Sequence, residues 1–600
     1  MPDYERHDYD VVVVGAGGAG LRAAVEASAA GARTALVCKS LLGKAHTVMA
    51  EGGIAAAMGN VYPEDNWRVH FRDTMRGGKL VNNWRMAQIH AQEAPERVLE
   101  LEDWGALFDR TSDGRILQRD FGGHRYARLA HVGDRTGLEM IRTLQQHAVH
   151  RGIDVFMECT ITQLLKDGER IAGAFGYWRE SGRFVLFTAP AVVLATGGIG
   201  KAYKITSNSW EYTGDGHALA LWAGADLLDM EFVQFHPTGM VAPPSVRGIL
   251  VTEGVRGDGG VLRNSTGERF MFRYIPEMFR AETADTEEEA DRWYEDRQAA
   301  RRTPDLLPRD EVARAINTET KEGRGSPHGG VFLDIASRRD AGYIKRRLPS
   351  MYHQFRELAD VDITKEAMEV GPTCHYIMGG VRVDAETQSS TVPGLFAAGE
   401  VAAGLHGANR LGGNSLSDLL VFGRLAGLHA ARYADAAGAA GAPPSVDEAT
   451  VEAHARDALA PFDGDGTENP YTVQTDLQEC MHTLVGIIRT EDELKQALSE
   501  LGTLAERASR LKVEGHRQYN PGWHLALDLR CMLAVSECIA RAALERRESR
   551  GGHTRDDYPG PDPEFGKVNH VLGQRNGEIS LTAQPLPPMP DDLRAILEAK

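Results

Sequence analysis

The chain is poor in cysteine, and none of its cysteines are paired. The six (Cys38, Cys159, Cys374, Cys480, Cys531, Cys538) are scattered through 600 residues without a single C-x-x-C spacing. This argues against a disulfide framework and against a structural zinc or iron–sulfur cluster ligated by this chain, and it fits a reducing compartment. No metal site is expected. Positive charge is short as well, with 67 Lys and Arg against 85 Asp and Glu, a net charge of −18. A nucleic-acid partner is therefore not expected, although a local cationic funnel for a small dianion is compatible with that balance. Long apolar runs are missing too. The most apolar stretches carry charge, Arg22 and Glu26 in one and Glu400 in another, and none approaches the roughly 20 apolar residues of a membrane-spanning helix. Only a short polar stretch precedes the first strand, so no signal or transit peptide is expected. Glycine, in contrast, is abundant, at 65 of 600 residues. It shows no collagen-like period, which points to places where backbone approaches something closely.

Residues 9–39 read YDVVVVGAGGAGLRAAVEASAAGARTALVCK. Val11 to Val14 is the pattern of a buried parallel strand. It breaks into Gly15, Gly17, Gly18, Ala19 and Gly20, which open a small-residue helix, and a second strand, TALV, follows Gly31. This is G-x-G-x-x-G between a strand and a helix, where its glycines permit the tight turn and close approach to a pyrophosphate at the helix N-terminus. Where an acidic residue usually holds the ribose, this chain has Cys38-Lys39. That weakens an NAD reading and leaves FAD open.

Residues 44–54 read KAHTVMAEGGI. His46 is either a surface-loop histidine or an imidazole that attacks the flavin 8α-methyl group. The segment resembles the flavin-attachment segment of the succinate dehydrogenase/fumarate reductase flavoprotein family, which reads Ser-His-Thr before Gly-Gly; here Ala45 replaces the Ser. The resemblance continues in AVVLATGGIG (191–200), TGDG (213–216) and GLFAAGEVAAGLHGANRLGGNSL (394–416). It implies FAD held covalently through His46, with Gly15, Gly17, Gly18, Ala19, Gly20, Lys39, Thr47, Gly52, Gly53, Thr196, Gly197 and Asp215 around it. It also implies Glu400 at the adenosine ribose, replacing the acceptor missing at Cys38, and Ser415-Leu416 at the isoalloxazine.

Four further segments are similar to the family's active-site blocks: FHPT (235–238), TEGVRGDGG (252–260), PRDEVARA (308–315) and PTCHYIMGG (372–380). A succinate or fumarate dianion needs fixed donors at both ends, and the planar arginine fork suits a carboxylate. The resemblance implies His236 and Thr252 at one carboxylate, His375 and Arg410 at the other, Arg309 as general acid or base, and Glu253 and Arg256 as its proton path. Taken singly, each has a structural reading: a turn histidine, an Arg309–Asp310 ion pair, a buried salt bridge.

The resemblance implies an α/β fold: a Rossmann-like FAD-binding domain (1–239 and 363–432), an inserted α+β capping domain (240–362) and a C-terminal helical domain (447–559) with a tail (560–600). Residues 434–446 read as a small-residue linker and 281–297 as a solvated acidic helix or loop. Helical periodicity runs through 447–548. SRGGHTRDDYP (549–559) matches a family signature, after which the usual continuation is absent. The implied activity is interconversion of succinate and fumarate by a bacterial, actinobacterial-like form. Its implied partners are an iron–sulfur subunit with a membrane anchor and quinone beyond it, at the cytoplasmic face of the inner membrane. The alternatives are an L-aspartate oxidase-like enzyme, which binds FAD non-covalently, and a non-catalytic flavoprotein.

Overall fold

Four consecutive valines leave no polar face to the strand Val11–Val14, and it forms the middle of a five-stranded sheet buried on both sides. The computed structural model describes residues 4–439, 444–463, 465–575 and 577–598. Strand order in this sheet is 395–397, 191–194, 11–14, 34–37, 154–156, and every pairing is parallel. The helix Gly18–Ala29 follows the first turn and packs against the long helix Asn414–Ala439. Their approach depends on small residues, since a Cβ on Gly427 would stand 2.1 Å from the Ala23 carbonyl oxygen. A second sheet joins Tyr4–Asp8, Phe184–Thr188, Arg170–Trp178 and Cys159–Asp167.

Residues 240–362 leave and re-enter through one antiparallel sheet. The strands Val233–Met240 and Met368–Ile377 pair with each other, and Val331–Asp334 and Val261–Arg263 extend the sheet into the insertion. The insertion builds its own core from residues such as Leu262, Phe270, Val312, Ile316, Leu333 and Phe355. In the helix Arg309–Lys321, Val312, Ala315 and Ile316 bury one face, and Asp310 and Glu311 occupy the first turn, where the helix dipole favours acids. The acidic run 281–297 forms the helix Glu287–Glu295 around buried Trp293. Its acids stay largely exposed, as expected, and several are paired: Asp291 with Arg269 and Arg338, and Glu289 and Asp285 with Arg301.

One sequence expectation fails toward the C-terminus. Residues 434–439 continue the helix Asn414–Ala439 rather than starting a linker, because alanine there favours helix; residues 440–443 lie outside the described residues. The tail is ordered. After the helices Glu448–Asp463, Pro470–Leu484, Glu491–Ala508 and Pro521–Glu545, the strands Val568–Arg575 and Glu578–Pro585 form a hairpin that pairs with Leu227–Leu228, followed by the helix Asp591–Glu598. Among the described residues, no helix is long and apolar enough to cross a membrane.

The hairpin is fastened by buried charge. Glu231 accepts from the Arg546 guanidinium and stands 3.1 Å from His570 Nδ1, all three side chains being shut off from solvent. Burial pushes the Glu231 carboxyl up, but Arg546 and His570 more than reverse this and hold it below the usual range. The stabilisation is therefore full above the unfolded value of about 4.3 and is lost only as pH falls below it. We expect Glu231→Gln to cost about 3–5 kcal/mol, read as a lower urea midpoint, with the hairpin losing hydrogen-exchange protection first.

Candidate active site

The C-terminal edge of the parallel sheet opens into a cleft of about 1530 Å³, part of it open to solvent. Its lining runs from the glycine turn at Gly15–Gly18 to His236, Thr252 and Arg309, so a dinucleotide and a small dianion can share it. Of the residues named from the sequence, all line this cleft except Gly20 and Arg256.

At the first turn Gly15 has φ +108°, and a Cβ there would lie 2.2 Å from the Ala195 carbonyl oxygen. Gly17, Gly18 and Ala19 present a helix N-terminus to the cleft, and the Gly18 N–H donates to Thr47 Oγ1 at 3.3 Å. Gly20 faces inward instead. Its Cβ would meet Gly15 O at 1.7 Å, so it seats the helix on the turn. Past the second strand, Lys39 Nζ binds Thr213 Oγ1 (2.8 Å), Asp215 (3.0 Å) and Asp528 (2.7 Å). Burial disfavours that ammonium, but the two carboxylates outweigh it and raise its pKa.

Glu400 does not share that cluster. It accepts from the Ile377 N–H at 3.1 Å, between the 196–198 loop and the strand that carries His375, and burial pushes its carboxyl up to about 8. The carboxylates at the end of the second strand are Asp215 and Asp528, while Glu400 lines the same cleft from the opposite side. Asp528 lay beyond sequence reasoning, because it comes from the C-terminal helix Pro521–Glu545.

His46 opens a short turn, His46–Met49, on the cleft wall. Its Nε2 lies 3.3 Å from Asn208 Nδ2, its ring meets Tyr212 edge-on at 4.8 Å, and its Nδ1 is shielded from solvent. Burial, then Lys201 and Arg410, press its pKa down to about 4, so the imidazole is a neutral nucleophile at physiological pH. Thr47 packs beside Gly17, Gly52 lies under the Phe121 ring, and Thr196 Oγ1 accepts from the Gly216 N–H.

The substrate end is a cluster of cations with one ionised acid. His236 sits on the strand Val233–Met240, its Nδ1 held 2.9 Å from the Thr238 carbonyl oxygen, so it is not a turn histidine. His375 Nδ1 lies 2.7 Å from Ser207 Oγ, and the two rings meet edge-on at 5.2 Å. Burial and neighbouring guanidiniums keep both imidazoles neutral. Thr252 Oγ1 accepts from the Gly254 N–H. Arg309 Nε donates to Glu253 at 3.0 Å, the Gly122 N–H donates to the other Glu253 oxygen at 2.6 Å, and Arg256 stands 4.0 Å behind. Burial would raise the Glu253 carboxyl, but Arg309 and Arg256 bring it below its ordinary value. Arg410 donates to Ser415 Oγ (2.9 Å) and Gln234 Oε1 (3.1 Å) and lies over Tyr376 at 4.3 Å. Burial and Arg309 lower its pKa to about 10.

This cluster is built for an anion. Arg309 Nη1 and Arg410 Nε are buried donors without acceptors, which costs free energy until a ligand supplies oxygen. Three guanidiniums against Glu253 leave a charge of +2, the complement of a dicarboxylate.

Known families match along the same segments. A family described as "FAD binding domain" matches residues 10–416, and one described as "Fumarate reductase flavoprotein C-term" matches 474–590. The chain belongs to the succinate dehydrogenase/fumarate reductase flavoprotein family. It is 62% identical to a solved structure titled "Mycobacterium smegmatis Sdh1 in complex with UQ1", over 98% of this chain and 96% of that one, with a TM-score of 0.85. It is 38% identical to the succinate dehydrogenase flavoprotein subunit of Coxiella burnetii, over 95% of each chain. A second solved structure, titled "Quinol-Fumarate Reductase with Menaquinol Molecules", is 34% identical over 98% of this chain and 99% of that one, with a TM-score of 0.87. The flavoprotein is thus an FAD-dependent oxidoreductase with the α/β architecture expected from its sequence.

The glycine cradle, the neutral His46 and the Lys39–Asp215 pair fit FAD. Ser207, Asn208, Gly122 and Gln234 were missed from the sequence. For Ser207 and Asn208 the available signal was their place in TSN, just before TGDG; Gly122 and Gln234 offered none.

Proposed function

We propose that this chain is the flavoprotein subunit of a succinate:quinone oxidoreductase and interconverts succinate and fumarate, with FAD attached through His46. The observation that carries the substrate assignment is the pair of buried, acceptor-free donors on Arg309 and Arg410 within a site of charge +2. FAD, when bound, supplies the two-electron chemistry.

In this reading the protein's own groups do the rest. His236 and Thr252 hold one carboxylate; His375 and Arg410 hold the other. Two fixed ends leave the central carbons one orientation, and prepaid orientation accounts for much of the rate. Arg309 delivers or receives the proton at its guanidinium. Its reference pKa above 12 prevents it from standing free as a neutral base, so its proton is exchanged through Glu253 and then Arg256. Its charge also stabilises the carbanion-like transition state. The insertion brings Arg309 to the cleft and excludes water when seated. Electrons leave to an iron–sulfur subunit, then to a membrane anchor with quinone. The chain is peripheral to the membrane on its cytoplasmic face.

The test is reduction of an artificial electron acceptor by purified chain with succinate, L-aspartate or neither. Turnover with succinate, competed by fumarate, is the expected result. Turnover with L-aspartate alone, or none with either substrate in flavin-loaded protein, overturns the proposal.

A further inference from the structure

The turn after the helix Trp67–Gly77 holds two consecutive non-glycine residues in the left-handed region, Lys79 at φ 57° and Leu80 at φ 65°. Such strain persists only where the surroundings over-determine it, and functional sites are where it collects. This turn is pinned on both sides. Gly78 O accepts from the Ala408 N–H at 2.9 Å, and Lys79 O accepts from Arg550 Nη1 at 3.2 Å. The Lys79 side chain is thereby carried, 11% exposed, across the seam to the insertion. Its Nζ stands 3.6 Å from Asp310 Oδ2 and 3.5 Å from Glu311 Oε1, and 5.2 Å above the Phe279 ring.

Asp310 is the residue next to Arg309. Its other oxygen accepts from Asn409 Nδ2 at 2.9 Å, and Asn409 is the residue next to Arg410. One buried carboxylate, 2% exposed, therefore joins the segments that hold both arginines, and its Oδ2 has no hydrogen-bond donor. Arg314, on the same helix, approaches it at 3.9 Å and donates to Gly551 O (3.3 Å) and Thr554 Oγ1 (3.1 Å), which ties the helix to the C-terminal part but brings no cation from the flavin-binding part.

We propose that Lys79 is a positioning residue, a counter-ion held by a strained turn that latches the first turn of the helix Arg309–Lys321 and so fixes Arg309 opposite Arg410. The proposal rests on the reading of Arg309 as proton donor and acceptor. An ammonium at Asp310 and Glu311 holds the helix end in register, and a loss of register by a fraction of a residue takes the Arg309 guanidinium off the reacting carbon.

The experiment compares Lys79→Met and Lys79→Arg with the wild type in the assembled, flavin-loaded enzyme. We expect Lys79→Met to lower kcat about 10- to 100-fold, with KM for succinate little changed because His236, His375 and Arg410 remain. It should also speed protease cleavage within 240–362 and leave covalent flavin intact. Lys79→Arg should retain kcat within about threefold, since a cation remains at the seam. Unchanged kcat and cleavage in Lys79→Met, or Lys79→Arg as impaired as Lys79→Met, overturns the latch. The two readings fail separately. If Arg309→Gln keeps turnover while Lys79→Met still exposes the insertion to protease, the role of Arg309 is wrong and the latch stands.

Discussion

Arg309→Lys or Arg309→Ala should abolish succinate oxidation, by at least about 10³- to 10⁴-fold in kcat, while flavin stays bound. Two losses combine. In the alanine variant the proton carrier goes, and so does the positive charge facing the developing carbanion. Lysine keeps a charge but not its placement. Arg309 uses Nε on Glu253 at 3.0 Å and leaves Nη1 free for substrate, a two-ended geometry that a single ammonium cannot reproduce. The flavin cradle is built from Gly15 to Ala19, Lys39, His46 and Asp215, whose hydrogen bonds run to Thr213, Asp528, Asn208 and Thr47 rather than to Arg309. Flavin content should therefore match wild type by absorbance. Near-wild-type turnover in either variant would refute the assignment.

His46→Ser should eliminate covalent flavin altogether. On a denaturing gel under ultraviolet light, the wild-type band at 65.5 kDa fluoresces and the variant band is dark. Acid precipitation should then release the variant's flavin into the supernatant. A fluorescent variant band would transfer the linkage to another residue. The pH profile offers a separate check. A nucleophilic imidazole must be unprotonated, and His46 is depressed to about 4, first by burial and then by Lys201 and Arg410. Attachment in apoprotein should hold level through about pH 6 and fall only as pH approaches 4, whereas an unperturbed histidine would already be half-protonated near 6.5.

The parts of the site that were legible in the sequence are those set by local chemistry. Val11–Val14 had to be buried on both faces, and the glycines after it had to turn tightly, whatever the rest of the chain did. His46-Thr47 and the arginine-bearing segments stood out because their flanking residues were specific. Gly20 and Arg256 belong to the same motifs, yet neither lines the cleft. One packs a helix on its own turn; the other backs Glu253 from behind.

Other features could not be read because their partners are far apart in sequence. Lys39 and Asp528 are 489 residues apart, and Lys79 meets Asp310 only because the insertion folds back onto the flavin-binding part. The contact of Glu400 with the Ile377 N–H is of the same kind, joining two segments that no local pattern links. The structure of the divergent tail could not be read because the strand Glu578–Pro585 is polar and mostly exposed, and Val568–Arg575 is buried only against distant segments. Its order comes from Asn569 and His570 reaching buried Asp229 and Glu231.

The sequence by itself determined the nucleotide-binding turn, because residue type and short spacing dictate it, and the likeness of its other segments to the family pointed to His46 and to the arginines and histidines proposed for a dicarboxylate. Only the tertiary structure decided which carboxylate holds which arginine, and that Arg309 and Arg410 meet across a seam with unsatisfied donors. Burial and long-range strand pairing place charges that no local pattern encodes.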